Sequence, residues 1–304
     1  MKVEIVEVGP RDGLQNETQK LSVAQKQELV ERLTAAGLSR IEVGSFVSPK
    51  KIPQMENSLE LLMSLKRSSK ISPSTYDKFS ALVPNEQGMT EALKTPLKEV
   101  AIFAAVSETF SQKNINCSVK ESLERFQPVV ALAKKNKIRV RGYLSTCFWC
   151  PYEGKIKPKQ VLKVVEQILD LGVFELSIGD TIGAATPKAV KALLQPLLKL
   201  SPAKKTAMHF HDTRGTALSN ITESLQWGIQ VFDSSVGGLG GCPYAPGASG
   251  NVATEDVVYL LKREGAKVSV DLEKLISVNK WLDKVLNRKL PSRVGQAGLP
   301  KHFS

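Results

Sequence analysis

From Glu99 to Leu144 the chain reads EVAIFAAVSETFSQKNINCSVKESLERFQPVVALAKKNKIRVRGYL. Its two ends, Glu99 to Val106 and Arg139 to Leu144, are short apolar, β-branched runs with the character of strands. The middle, Lys120 to Lys135, has helical periodicity, with Pro128 as the place for a kink. Strand, helix, strand is the repeating unit of a parallel sheet. The same alternation continues on both sides. Upstream, strands are predicted at Val3 to Val8, Arg40 to Val43 and Phe79 to Val83. The helices between them are Ser22 to Ala36, Asn57 to Lys66 and Glu86 to Leu93, with Ser22 as an N-cap and Gly37 as a stop. Downstream, strands are predicted at Phe174 to Ile178, Thr206 to Phe210 and Val231 to Val236. Helices follow at Pro158 to Leu171, Pro187 to Leu200 (with Pro196 as a second kink point), Ala217 to Trp227 and Thr254 to Arg263. Eight strands, each with its helix, predict an α/β chain folded as a (β/α)8 TIM barrel. One more helix, Leu272 to Leu286, is expected to pack over it. The reading is one catalytic domain over 1–304, with the barrel at about 1–265 and a C-terminal helical extension at about 266–304. An open doubly wound sheet would want a dinucleotide fingerprint in the first turn, and Gly9-Pro10-Arg11-Asp12-Gly13 is not one.

The chain has 304 residues, 42% of them hydrophobic, enough for a buried core of this size. Its formal net charge of +12 attracts polyanions, but the Lys and Arg residues are scattered and no nucleic-acid motif accompanies them. A basic nucleic-acid-binding protein is therefore the non-enzymatic alternative, resting on net charge alone. Four cysteines do not make a disulfide scaffold. The N-terminus lacks a signal-peptide pattern, and no apolar run reaches membrane-spanning length. A cytoplasmic setting is expected.

A barrel puts its chemistry at the C-terminal ends of the strands and in the loops after them. The unusual polar residues fall there. His209 and His211 are two of only three histidines and stand two apart on one strand, so both point to one face. Such a pair binds a metal or works as an acid–base couple; as barrel-interior histidines they would instead only satisfy each other's surroundings. Asp12 after the first strand is the first oxygen ligand, and Asn251 offers an amide oxygen. Two imidazoles, one carboxylate and one amide suit magnesium or manganese better than zinc. Arg11 adjoins Asp12, and on an extended segment the two would point apart, Asp12 to the cation and Arg11 to an anionic or carbonyl oxygen. Glu42 ends the second strand, where it can hold Arg11, support the cation's water or contact substrate. Asp180 follows Gly179 and can position a histidine or contact substrate. The Gly237 to Asn251 loop has six glycines in fifteen residues, with Cys242 among them, and can close over a ligand. A chemical role for Cys242 is favoured over a packing one. Cys147 and Cys150 have CxxC spacing but no second pair of ligands, and follow a strand rather than open a helix, so neither zinc nor redox use is expected.

These residues resemble the 3-hydroxy-3-methylglutaryl-CoA lyase family. The resemblance runs from Val8-Gly9-Pro10-Arg11-Asp12-Gly13-Leu14-Gln15-Asn16-Glu17 to Leu286-Asn287-Arg288-Lys289. It passes through Ser45 to Lys50, Lys113 to Ser118, Cys150 to Lys155, Gly179 to Gly183 and the Cys242 loop. It implies a metal-dependent retro-Claisen cleavage of 3-hydroxy-3-methylglutaryl-CoA to acetyl-CoA and acetoacetate. It implies metal ligation by Asp12, His209, His211 and Asn251, and catalytic roles for Arg11 and Cys242. His209 or Asp12 would be the base, and Glu42 and Asp180 would support the site. The implied partners are an acyl-CoA thioester and magnesium or manganese, with no nucleic acid or membrane; a homodimer is the assembly entertained. Lyases of related 3-hydroxyacyl-CoA substrates stay open beside this reading. So do enzymes of the isopropylmalate synthase type, which share the first-turn motif. Pro246, Arg214 and Thr18 depart from the family pattern, at positions that touch loop shape and the CoA tail.

Overall fold

The computed structural model describes residues 1–241 and 249–303. In chain order the elements are β1 (Glu4–Glu7), α1 (Val23–Ala35), β2 (Arg40–Ser45), α2 (Ser58–Arg67), α3 (Pro73–Tyr76), β3 (Phe79–Leu82), α4 (Glu86–Ala92), β4 (Glu99–Ala105), α5 (Glu108–Ile115), α6 (Val119–Lys135) and β5 (Arg139–Ser145). Then come β6 (Trp149–Cys150), β7 (Gly154–Lys155), α7 (Pro158–Asp170), β8 (Glu175–Asp180), α8 (Pro187–Leu197), β9 (Thr206–Phe210), α9 (Ala217–Gln226), β10 (Val231–Ser234), α10 (Thr254–Arg263), α11 (Leu272–Val285) and α12 (Arg293–Ala297). Eight parallel strands close in the order β1-β2-β3-β4-β5-β8-β9-β10, which is the predicted (β/α)8 barrel. β6 and β7 form a separate antiparallel hairpin on the loop after β5. No helix among the described residues is long and apolar enough to cross a membrane.

Local signals set several boundaries. Ser22 and Gln25 close a capping box at α1, and Ser118 and Glu121 do the same at α6. Helix α6 continues through Pro128 as one element. The hairpin, α3, α5 and α12 were not read from the sequence. Helix α5 is eight residues long with weak amphipathic character, and its signal is the cap: Ser107 accepts the Phe110 amide.

Outward-facing strand residues join the helices in one large apolar core. Inward-facing ones form two small apolar groups, Val6, Val8, Ala207 and Val231, and Leu82, Ala101 and Tyr143. The remaining interior is charged. Arg141 is wholly buried between Glu175, 2.6 Å from its Nε, and Asp233, 2.7 Å from its Nη2. Arg40 shares Glu175 Oε1 with Arg141 at 2.8 Å, takes Oε2 at 3.1 Å, and reaches Glu4 at 3.1 Å and Glu99 at 3.6 Å.

A second lock joins the barrel to its last helix. Glu7 is fully buried at the end of β1. Its Oε1 accepts the amides of Gly9 at 2.8 Å and Val236 at 2.9 Å, and its Oε2 faces the Thr254 hydroxyl at 2.7 Å. Burial pushes its pKa up to about 7 against these bonds. The Thr254 hydroxyl donates to Oε2 and lies 2.8 Å from Ser234 Oγ. The C-terminal segment is tied in by Asp256, which accepts Ser292 Oγ at 3.0 Å and the Val294 amide at 2.7 Å.

An acid whose pKa is raised by folding keeps its proton when the unfolded chain has lost it, so stability falls as pH rises between the two values. For Glu7 that window runs from 4.5 to about 7, with a slope of at most about 1.4 kcal/mol per pH unit. Glu7→Gln copies the neutral acid and is expected to gain stability relative to the parent as pH goes from 5 to 8. Urea unfolding of both proteins at the two pH values checks this; a constant difference would contradict it.

Candidate metal centre

The site begins where β1 ends. The amides of Arg11, Asp12 and Gly13 all converge on the Val8 carbonyl, at 3.1, 2.7 and 3.2 Å, and turn the chain sharply across the barrel mouth. Gly13 is required by contact: a Cβ there would stand 2.7 Å from both Leu239 Cβ and Ser235 Oγ. The turn changes one sequence expectation. Arg11 and Asp12 do not point apart, because the segment is coiled rather than extended, and Arg11 Nη1 lies 2.6 Å from Asp12 Oδ1. On its other side Arg11 donates from Nε to Glu42 Oε2 at 2.6 Å. Glu42 sits beside a bulge in β2, where Val43 is the extra residue opposite β3.

His209 and His211 enter from β9 and the residue after it, with ring centroids 5.4 Å apart. One ligating atom from each of Asp12, His209 and His211 lies within 4.8 Å of the others. Asn251 is brought in by an isolated antiparallel bridge to His211, flanked by the Val252 amide on the Phe210 carbonyl. Its Nδ2 donates to Asp12 Oδ2 at 2.7 Å, and Gly240, at φ +111°, leaves room where a Cβ would meet that amide at 2.8 Å. Among the buried atoms here without a partner are Asn251 Oδ1 and His211 Nδ1, together with Glu42 Oε1 and Tyr143 OH. Buried polar atoms are normally satisfied, so the orphaned Asn251 and His211 lone pairs beside a carboxylate fit a cation.

The electrostatics separate the two histidines. Burial and the neighbouring His209 hold His211 down at about 4, neutral at ordinary pH with its lone pair free. Burial also acts against a charged His209, but the Asp233 hydrogen bond and the Asp233 and Asp12 charges outweigh it and raise its pKa. Burial opposes ionisation of Asp12, and Arg11 with the two histidines overcomes this and keeps its carboxyl low. Burial raises Glu42 despite the pull of Arg11.

Arg11, Asp12, Glu42, His209, His211 and Asn251 thus meet at one end of the barrel. Asp180 Oδ1 and Oδ2 accept the amides of Ala184 and Ala185 at 2.9 and 3.0 Å, shaping the loop after β8. Burial raises it to about 6. The histidine is held by Asp233 instead, a residue the sequence reading passed over. Tyr143 was also missed; its ring packs between the Arg11 and Arg141 guanidinium groups at 5.5 and 4.8 Å. Neither stands out by residue type alone, and each is recognised by its neighbour in the barrel, Asp233 by His209 and Tyr143 by Arg11. Cys242 lies outside the described residues. Cys147 and Cys150 are free and buried, and burial pushes the Cys147 thiol far up.

Residues 2–282 match the HMGL-like family model. A 3-hydroxy-3-isohexenylglutaryl-CoA/hydroxymethylglutaryl-CoA lyase of Pseudomonas aeruginosa is 50% identical over 99% of this chain and 98% of its own length. The crystal structure of hydroxymethylglutaryl-CoA lyase from Pseudomonas aeruginosa superposes with a TM-score of 0.92 at 50% identity, covering 97% of each chain. An HMG-CoA lyase of Acinetobacter baumannii, solved with coenzyme A and 3-methylmalate, is 35% identical with a TM-score of 0.91, over 100% of this chain and 97% of its own.

Loading a cation on His209 requires that its proton leave, so binding is expected to release protons and to strengthen as pH rises through the His209 titration. Calorimetry with manganese in buffers of different ionisation enthalpy measures the release. No release at a pH below the His209 titration would contradict the site.

Proposed function

The chain belongs to the HMGL-like family and is a carbon–carbon lyase, and we propose that it cleaves 3-hydroxy-3-methylglutaryl-CoA to acetyl-CoA and acetoacetate with magnesium or manganese bound. The observation that carries the reading is the trio of Asp12, His209 and His211 within 4.8 Å, completed by the orphaned Asn251 oxygen. Those four residues would hold the cation. When bound, it supplies Lewis acidity to the oxygens of the substrate.

The chain's own groups cover the remaining steps of a retro-Claisen cleavage. The C3 hydroxyl proton needs an acceptor near the cluster. His209 would give one ring nitrogen to the cation while the other faces Asp233, so in this reading the acceptor is Asp12, whose carboxyl Arg11 and the histidines keep ionised. As the C2–C3 bond breaks, acetoacetate forms and negative charge moves to the thioester oxygen. Arg11 is a permanent cation that Glu42 and Asp12 fix from two sides, suited to stabilise that enolate without reorganising. Protonation at C2 then gives acetyl-CoA, and we assign that proton to Cys242. Asp180 and Glu42 serve the site through loop shape and the Arg11 position in this reading.

A second substrate has one specific observation behind it: the Pseudomonas aeruginosa relative carries a name with two acyl groups, hydroxymethylglutaryl and the longer hydroxyisohexenylglutaryl. Purified protein with either thioester and magnesium or manganese is the direct assay. Acetoacetate from the methyl substrate is expected, and its absence with every divalent ion tried would overturn the assignment. Cys242→Ser is expected to keep manganese affinity and lose most turnover. Arg11→Lys, which keeps the charge but not the fork that Glu42 and Asp12 grip, is expected to lower kcat by about 10²–10³-fold.

A further inference from the structure

We infer that Asp233 is a positioning residue that fixes the tautomer of His209 and so selects the nitrogen turned to the cation. The inference rests on the metal-centre reading above. Asp233 lies on β10 directly opposite His209 in the barrel register, and its side chain has no exposure. Its Oδ2 is 3.3 Å from His209 Nδ1. The same oxygen accepts Ser177 Oγ at 2.6 Å and Arg141 Nη1 at 3.2 Å, while Oδ1 accepts Arg141 Nη2 at 2.7 Å.

A carboxylate clamped by a guanidinium presents lone pairs only. The His209 nitrogen facing it must therefore carry the hydrogen, which leaves Nε2 as the single lone-pair nitrogen of the neutral ring. Arg141 cannot turn away to relax this rule, since Glu175 holds its Nε at 2.6 Å and the Tyr143 ring lies 4.8 Å from its guanidinium carbon. His211 has no such partner, and its Nδ1 is one of the orphaned atoms. One histidine is thus oriented by the barrel interior and the other is left to the ligand.

Asp233→Asn makes the opposite demand. The amide has one oxygen, and the short Arg141 bond claims it. The NH2 group then faces His209 Nδ1, which must accept, so the hydrogen moves to Nε2. The measurement is long-range 15N–1H correlation of metal-free protein labelled with 15N-histidine, at a pH where the imidazoles are neutral. The chain has three histidines, so His209→Gln assigns the signal. The parent should show Nδ1–H at His209 and Asp233→Asn should show Nε2–H. Calorimetric titration with manganese alone should show about 10–100-fold weaker binding in the variant. A lowered Tm with unchanged tautomer and unchanged manganese affinity would reduce Asp233 to a structural residue and overturn the inference. If the variant does not fold, the parent decides, since Nε2–H at its His209 overturns the inference equally. Neither readout involves turnover, so a parent that binds manganese but forms no acetoacetate would sink the proposed reaction and leave this inference standing.

Discussion

Arg141 sits inside the barrel with no contact with water, and the rim depends on how its charge is neutralised. A lone guanidinium there would be untenable, and removing one partner from a buried ion pair costs about 3–5 kcal/mol. The chain answers with a ladder of alternating sign. Asp233 lies above Arg141, Glu175 lies beside it, Arg40 spans Glu175, Glu99 and Glu4, and Arg139 closes on Glu99 at 2.8 Å. Register fixes much of it: Arg141 is paired with Glu175 across β5 and β8, and His209 with Asp233 across β9 and β10. Barrel interiors are usually filled by branched apolar side chains. Here only two small apolar groups share the interior, and the ionic column between them ends at His209.

The ladder explains why the metal cluster is asymmetric. The two imidazoles stand two residues apart at the end of β9, yet one is raised and the other held at about 4. Sequence spacing cannot make that difference; the carboxylate on the neighbouring strand does. Asp12 is treated in the same way from the opposite side. It shares its oxygens between Arg11 and Asn251, and that sharing follows from the Gly9–Gly13 turn rather than from any extended geometry.

The fold was legible because each βα unit repeats the same two periodicities, and Thr206–Phe210 and Thr254–Arg263 coincide with their predicted spans. What escaped was short or capped rather than periodic: α5 behind Ser107, the Trp149–Lys155 hairpin, and α12 held by Asp256. That Asp12, His209, His211 and Asn251 gather at one end of the barrel was legible from residue type and rim position. Their support was not, because Asp233 and Tyr143 announce themselves only once neighbouring strands are placed in register. Asp180 shows the converse limit. A polar residue at a strand end is equally well used on substrate or on loop amides, and here both of its oxygens are on amides.

Arg214 shows the same limit on the outer rim. A basic group at the mouth of an enzyme with net charge +12 invites a reading as a contact for the phosphates of a CoA tail. The guanidinium instead donates from Nη1 to the Ile182 and Gly183 carbonyls at 2.5 and 3.3 Å. Those carbonyls belong to the loop whose amides Asp180 gathers, so the cation fastens the loop after β8 to the loop after β9. Gly183 packs into the same joint, where a Cβ would stand 2.9 Å from the His211 carbonyl. Arg214 therefore acts on the backbone that carries His211, and through it on the placement of one of the three grouped residues Asp12, His209 and His211.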